Sequence, residues 1–212
     1  MAQIPVIEGG TGTGSWSTEE GAKLTEQTTP TFKVRQPLLS EIFTKAHKGK
    51  VKKDKVKILK EENCRALQQI CQWAYNPKIT SMLPEGIPPY KENEAPEGTE
   101  HMLLRSEGDK LWHFVKTQTN YGEVTKEEDK KYKPANPKLQ STQRERMFIR
   151  LLEGLHKDEA KLLCAVKDKE LTYKEFKDDK GKVTSTRGIK GLSKQVLMDA
   201  FNWDEDYKVK GV

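Results

Sequence analysis

Long apolar runs are missing from this chain of 212 residues. The longest, Met147-Phe148-Ile149 and Leu162-Leu163-Cys164-Ala165-Val166, fall far short of the roughly 20 residues that cross a bilayer, so no membrane span is expected. Cysteine is scarce. Cys64, Cys71 and Cys164 are an odd number with no Cys-x-x-Cys spacing, which argues against a disulfide framework and suits small core hydrophobes in a reducing cytosol. The histidines His47, His101, His113 and His156 are scattered, none pairs with a cysteine at ligand spacing, and no His-Glu-x-x-His occurs. No metal or other cofactor is expected. The first residues, Met1-Ala2-Gln3-Ile4-Pro5, lack a basic region followed by an apolar stretch, so no secretory signal is expected.

Catalytic patterns are equally thin. Gly9 and Gly14 have the spacing of a phosphate-loop pair, but Ser15-Trp16 stand where Lys and Ser/Thr must be, and nothing there reaches the outer phosphates of a nucleotide. The dinucleotide fingerprint fails because Ser15 occupies its third glycine position. No nucleophile elbow is present. Cys164 sits inside an apolar stripe, where a thiol is inert packing, and His113, between Trp112 and Phe114, has a structural setting. Glu127-Glu128-Asp129 lies in a polar stretch with no burial to raise a carboxylate pKa. The chain is therefore expected not to be an enzyme.

What is present is charge, and lysine above all. Charged residues make up 33% of the chain against 34% hydrophobic, with a formal net charge of +6. Seven lysines and one acid, Asp54, lie between Lys48 and Lys60, so that segment alone carries a charge equal to the total. Lys48, Lys50, Lys52, Lys53, Lys55, Lys57 and Lys60 are candidate contacts for a polyanion, such as nucleic acid or an acidic protein complex. If 50–60 is helical, Lys50, Lys53, Lys57 and Lys60 share one stripe. The competing reading is a solvated helix face. No arginine and no aromatic interrupts the segment, which weighs against bidentate recognition and against base stacking.

The rest of the chain reads as mainly α-helical: one compact multi-helix domain over 37–212, five to seven short helices, after a flexible Gly/Thr-rich arm over 1–36. Residues with helical spacing include Leu38, Leu39, Ile42, Phe43 and Ala46, with Gly49 beyond the end. Ala66, Leu67, Ile70, Cys71 and Ala74 follow Asn63 as a candidate cap and stop at Asn76-Pro77. Leu103, Leu104, Leu111, Trp112 and Val115 suggest a helix weakened at Gly108. Residues 119–141 read as a polar linker. Met147, Phe148, Leu151, Leu152 and Leu155 form one stripe and Ala160, Leu162, Leu163, Cys164 and Val166 the next. Their junction at Gly154 suggests a helical hairpin in the core, because Asp158 and Glu159 in the second helix's first turn repel phosphates and disfavour a DNA-reading helix-turn-helix. A small β-hairpin is expected near 171–190, about Asp179-Lys180-Gly181. Ser193 then caps a last helix, with Leu192 and Leu197 placed for a hydrophobic staple.

Leu83-Pro84-Glu85-Gly86-Ile87-Pro88-Pro89-Tyr90 cannot be a helix and is expected to lie extended along the surface. It is a rigid connector or a docking strip in which Leu83, Pro84, Pro88, Pro89 and Tyr90 meet a partner.

Together with that strip, Val56-Lys57-Ile58-Leu59-Lys60-Glu61-Glu62-Asn63, Trp73-Ala74-Tyr75-Asn76-Pro77, Ala95-Pro96-Glu97-Gly98-Thr99-Glu100-His101, Leu111-Trp112-His113-Phe114-Val115 and Phe148-Ile149-Arg150-Leu151-Leu152-Glu153-Gly154-Leu155-His156 form a series. So do Ala165-Val166-Lys167-Asp168-Lys169 and Gly191-Leu192-Ser193. The series resembles a family of small uncharacterised proteins encoded by T4-like tailed phages, notably of cyanobacteria and other marine bacteria. The resemblance spans about residues 36–205, with the arm before Thr31 and the segment 172–190 looking like additions. It implies a phage product acting in the cytoplasm of an infected bacterium and supplies no catalytic residues. Two roles follow as expectations: a non-enzymatic accessory protein binding a polyanionic partner, nucleic acid or the host's nucleic-acid machinery, through the lysines, or a virion or assembly component whose arm is ordered by neighbouring phage subunits.

Overall fold

The computed structural model describes residues 36–95, 101–120, 131–172, 174–178, 181–189 and 191–211. The expected arm falls outside them apart from Gln36, as does Glu127-Glu128-Asp129. From Pro37 onward the chain gathers into one unit. Among the described residues it is mostly helical, with seven α-helices, one 3-10 helix and two small antiparallel sheets.

Helix α1 (Leu39–Lys48) buries Leu39, Ile42, Phe43 and Ala46, the face its sequence spacing dictates. The Leu38 amide donates to Glu41 Oε2 at 2.7 Å, satisfying a donor that the helix start leaves without a partner. Gly49 ends the helix by donating its N–H to the Lys45 and Ala46 carbonyls. Val51, in extended conformation, starts α2 (Lys52–Glu61), which buries only Lys55 and Leu59. Helix α3 (Arg65–Tyr75) is the centre of the core, burying Ala66, Leu67, Ile70, Cys71, Trp73 and Ala74. It begins one residue later than a cap at Asn63 would set it: Cys64 takes the cap position, and Asn63 Oδ1 accepts instead from Gln68 Nε2 at 2.9 Å.

The segment expected as one helix around 103–115 changes type at Gly108. It forms α4 (Leu104–Glu107), then a 3-10 helix over Gly108–Phe114 that buries Leu111 and Phe114. Phe114 stands between Trp73 and Phe148, its ring 6.4 Å from the first and 5.2 Å from the second. Val115 then enters a strand instead of closing a helix. Strands β1 (Ile79–Ser81), β2 (Val115–Gln118) and β3 (Tyr132–Pro134) pair antiparallel in that order, with Thr117 opposite both Ile79 and Lys133. Strands this short hold too few residues to show an alternating pattern, which is why β3 is hidden in the polar stretch 119–141.

Helices α5 (Ser141–Gly154) and α6 (Lys157–Lys167) both pack into the core as the expected helical hairpin. Gly154 is buried at their junction, and a methyl there would lie 2.8 Å from Met102 Sδ. The expected hairpin is present as β4 (Lys174–Lys177) and β5 (Val183–Arg187). Its base is fastened where Ile189 N–H donates to the Leu171 carbonyl at 2.8 Å. Helix α7 (Lys194–Phe201) starts after Ser193, whose hydroxyl makes no capping bond, and ends on Asn202 in the left-handed region. Leu192 and Leu197, the two staple positions, are both buried.

Candidate functional site

The lysine segment splits into three environments. Successive helix residues turn about 100°, so Lys53, Lys57 and Lys60 fall within a sector of about 60° on the outer side of α2, and all three are exposed. Lys50 precedes the helix, in the turn between Gly49 and Val51, so the expected four-lysine stripe shortens to three. Lys48 is the last residue of α1. Among the described residues no carboxylate pairs with Lys48, Lys50, Lys53 or Lys60. Lys57 lies 3.8 Å from Glu61 one turn on; at 76% side-chain exposure such a pair contributes little and opens readily. Lys52 is held more firmly, with Nζ 2.6 Å from Asp199 Oδ2 of α7.

Lys55 is not a surface contact. It is 5% exposed, and its ammonium donates to the Ala46 carbonyl at 2.6 Å. That bond caps the C-terminal end of α1, where the last carbonyls have no partner within the helix and the dipole is negative. Burial holds the Lys55 pKa below its ordinary value, partly offset by Asp54. Its stem also lies against Gly191, where an added methyl would come within 3.0 Å of Lys55 Cε.

The proline-rich strip runs without regular structure from Leu83 to Tyr90. Leu83 and Tyr90 are half-buried and pack on the core, which anchors the strip at both ends. Pro84 and Pro89 are exposed and Pro88 is half-buried. The Pro84 carbonyl accepts from Lys167 Nζ at 2.6 Å, and Lys167, itself buried, also pairs with Asp168. Between 83–89 and α5 lies a groove of about 310 Å³ floored by Phe148 and Ile149. Ile87, which composition does not single out, is the most exposed large hydrophobic among the described residues, at 77%.

Residues 42–130 and 130–173 match a family of unknown function, DUF6433. The chain belongs to that family. No curated protein and no solved structure matches it. Every candidate lysine and the whole proline strip fall inside the DUF6433 span, whereas the hairpin β4–β5, α7 and Asp199 lie beyond its end at residue 173.

His101 is exposed, while Cys164 is buried and its thiol is pushed up to about 11 by burial. Burial likewise raises the Cys71 thiol. Among the described residues no three His, Cys, Asp or Glu side chains gather as a metal site would require, and no helix is long and apolar enough to cross a membrane.

His113 ties the 3-10 helix to the start of α5. Asn136 Nδ2 donates to its Nδ1 at 2.8 Å, which requires that nitrogen to be unprotonated. Arg144 Nε donates to the His113 carbonyl at 2.9 Å. Burial, and then the Arg144 charge, hold the imidazole pKa below its ordinary 6.5. A group whose folded pKa is depressed binds more protons when unfolded, so stability rises with pH across that window. The His113 contribution is fully present above pH 6.5 and declines as pH falls from there to the lowered value. The stability gap between wild type and His113→Gln, measured by urea unfolding, should narrow from pH 7.5 to 5. A constant gap would contradict the protonation argument.

Sequence reasoning misses Glu159 and Asp199. Glu159 stands out in sequence only as an acid in the first turn of α6, yet it is 1% exposed and joins three helices. Asp199 has no sequence link to the lysines; the packing of α7 on α2 creates it.

Proposed function

We propose that this chain is a phage-encoded accessory protein that works in the cytoplasm of an infected bacterium and docks on a polyanionic partner through the outer face of α2. The observation that carries the reading is the exposed stripe Lys53, Lys57 and Lys60, in which Lys53 and Lys60 have no carboxylate partner among the described residues and Lys57 has only the exposed 3.8 Å contact with Glu61. An unpaired cluster of one sign sets up a local field that attracts anions and raises their association rate. The phage setting follows from the sequence resemblance described above. Lys53→Gln/Lys57→Gln/Lys60→Gln removes the stripe while leaving the buried Lys55 and the Lys52–Asp199 pair in place. Wild type should be retained on a heparin column to clearly higher salt than this variant. Elution of both at the same salt would remove the polyanion reading.

A further inference from the structure

We propose that the partner of this face is the sugar-phosphate backbone of a double-stranded nucleic acid, bound without regard to base sequence; the inference rests on the polyanion reading above. Lys53, Lys57 and Lys60 are spread along about 10 Å of helix axis. The shallow surface they share is lined otherwise by Lys52, Val56, Glu61 and Asp199. Among the described residues it contains no arginine, asparagine or glutamine, the side chains that read base edges bidentately. Among the described residues it also contains no aromatic, and binding of single strands draws its affinity from base–aromatic stacking. An acidic protein is a poorer match, because protein interfaces are depleted in lysine at their centre and depend on aromatic or arginine anchors. Val56, half-buried, is the one apolar side chain on this surface among the described residues. Hydrated, flexible ammonium groups without an apolar anchor fit counterion release from a dense row of phosphates, and a duplex has the higher charge density.

Two carboxylates set how many lysines are available. Asp199 holds Lys52 and is itself fixed by Gln195 Nε2 at 3.0 Å. The hydrogen bonds from Lys52 and then Gln195 hold the Asp199 pKa below the usual carboxylate range. Asp199→Asn therefore releases Lys52 and removes a negative charge from the same surface. Glu61 competes more weakly for Lys57, across 3.8 Å.

The test is fluorescence anisotropy with a 20-bp DNA duplex and a 20-nucleotide oligo-dT, with poly-glutamate as competitor. For three lysine–phosphate contacts the wild-type advantage over the triple glutamine variant should shrink by about 40-fold between 50 and 200 mM salt on the duplex. On a single strand, with its smaller slope, the figure is about 18-fold. Replacement of all three lysines by arginine should preserve the duplex slope, and Asp199→Asn should steepen it by about 0.9. Binding should not change when the duplex sequence is scrambled. Equal or tighter binding of oligo-dT, displacement of duplex by poly-glutamate at equal charge, or an unchanged slope in Asp199→Asn would overturn the duplex assignment. Heparin retention would survive any of these, so failure here is distinct from failure of the polyanion reading.

Discussion

Glu159→Ala should lower the unfolding free energy by about 2–6 kcal/mol, the summed cost of two buried backbone donors left without an acceptor. The carboxylate accepts from the Leu39 amide at 3.0 Å through Oε1 and from the Leu104 amide at 3.1 Å through Oε2. These amides are the first N–H groups of α1 and α4, so a single side chain on α6 closes the open starts of two other helices. Both helix dipoles present their positive ends to it. Truncation leaves two buried donors without acceptors, each costing about 1–3 kcal/mol, in a pocket too enclosed for water to replace the carboxylate freely. Glu159→Gln should cost less, because its remaining oxygen can still serve one amide while its NH₂ group opposes the other. Urea unfolding followed by circular dichroism reads both. A loss below about 1 kcal/mol for alanine would show that α1 and α4 do not depend on this acceptor.

Gly108→Ala should cost about 3 kcal/mol, at the upper end for adding one carbon to a packed interior. Gly108 has φ −48° and ψ −42°, ordinary helical values that any residue adopts, so the requirement for glycine is spatial. A methyl there would lie 2.7 Å from Ala66 Cβ and 2.8 Å from Ala66 Cα. Part of that collision is with backbone, and α3 would have to move away from the 3-10 helix. Movement of α3 disturbs the packing of the Trp73 ring on Phe114. Adding Ala66→Gly should recover part of the loss and not all of it, since the collision with the residue-66 backbone remains. A Gly108→Ala variant within about 0.5 kcal/mol of wild type, the range of ordinary surface substitutions, would mean that the two helices are not closely packed.

These two residues mark how far the sequence can be read. Gly108 is visible as a weak point in a helical pattern, but its reason, the approach of Ala66 from an earlier helix, is not. Glu159 reads as an acid suited to its own helix start, which accounts for its place in α6 and says nothing about Leu39 or Leu104. The helical hairpin α5–α6 and the small hairpin β4–β5 are legible because both are local, built from neighbours in the chain. The sheet β1–β2–β3 is not. Ile79, Thr117 and Lys133 meet across long separations, and strands of three or four residues leave no period of their own.

The lysine segment divides in the same way. Its charge and its lack of aromatics are properties of consecutive residues, so the chain by itself determined that a basic segment follows Gly49, with a lysine stripe on condition that it is helical. Which ammonium groups face solvent was decided by packing. Lys55 turned inward to the end of α1 and Lys52 was claimed by α7, because burial and pairing depend on what arrives from elsewhere in the fold. Local periodicity is set by backbone geometry within a few residues; the environment of a charge is set by every element that packs around it.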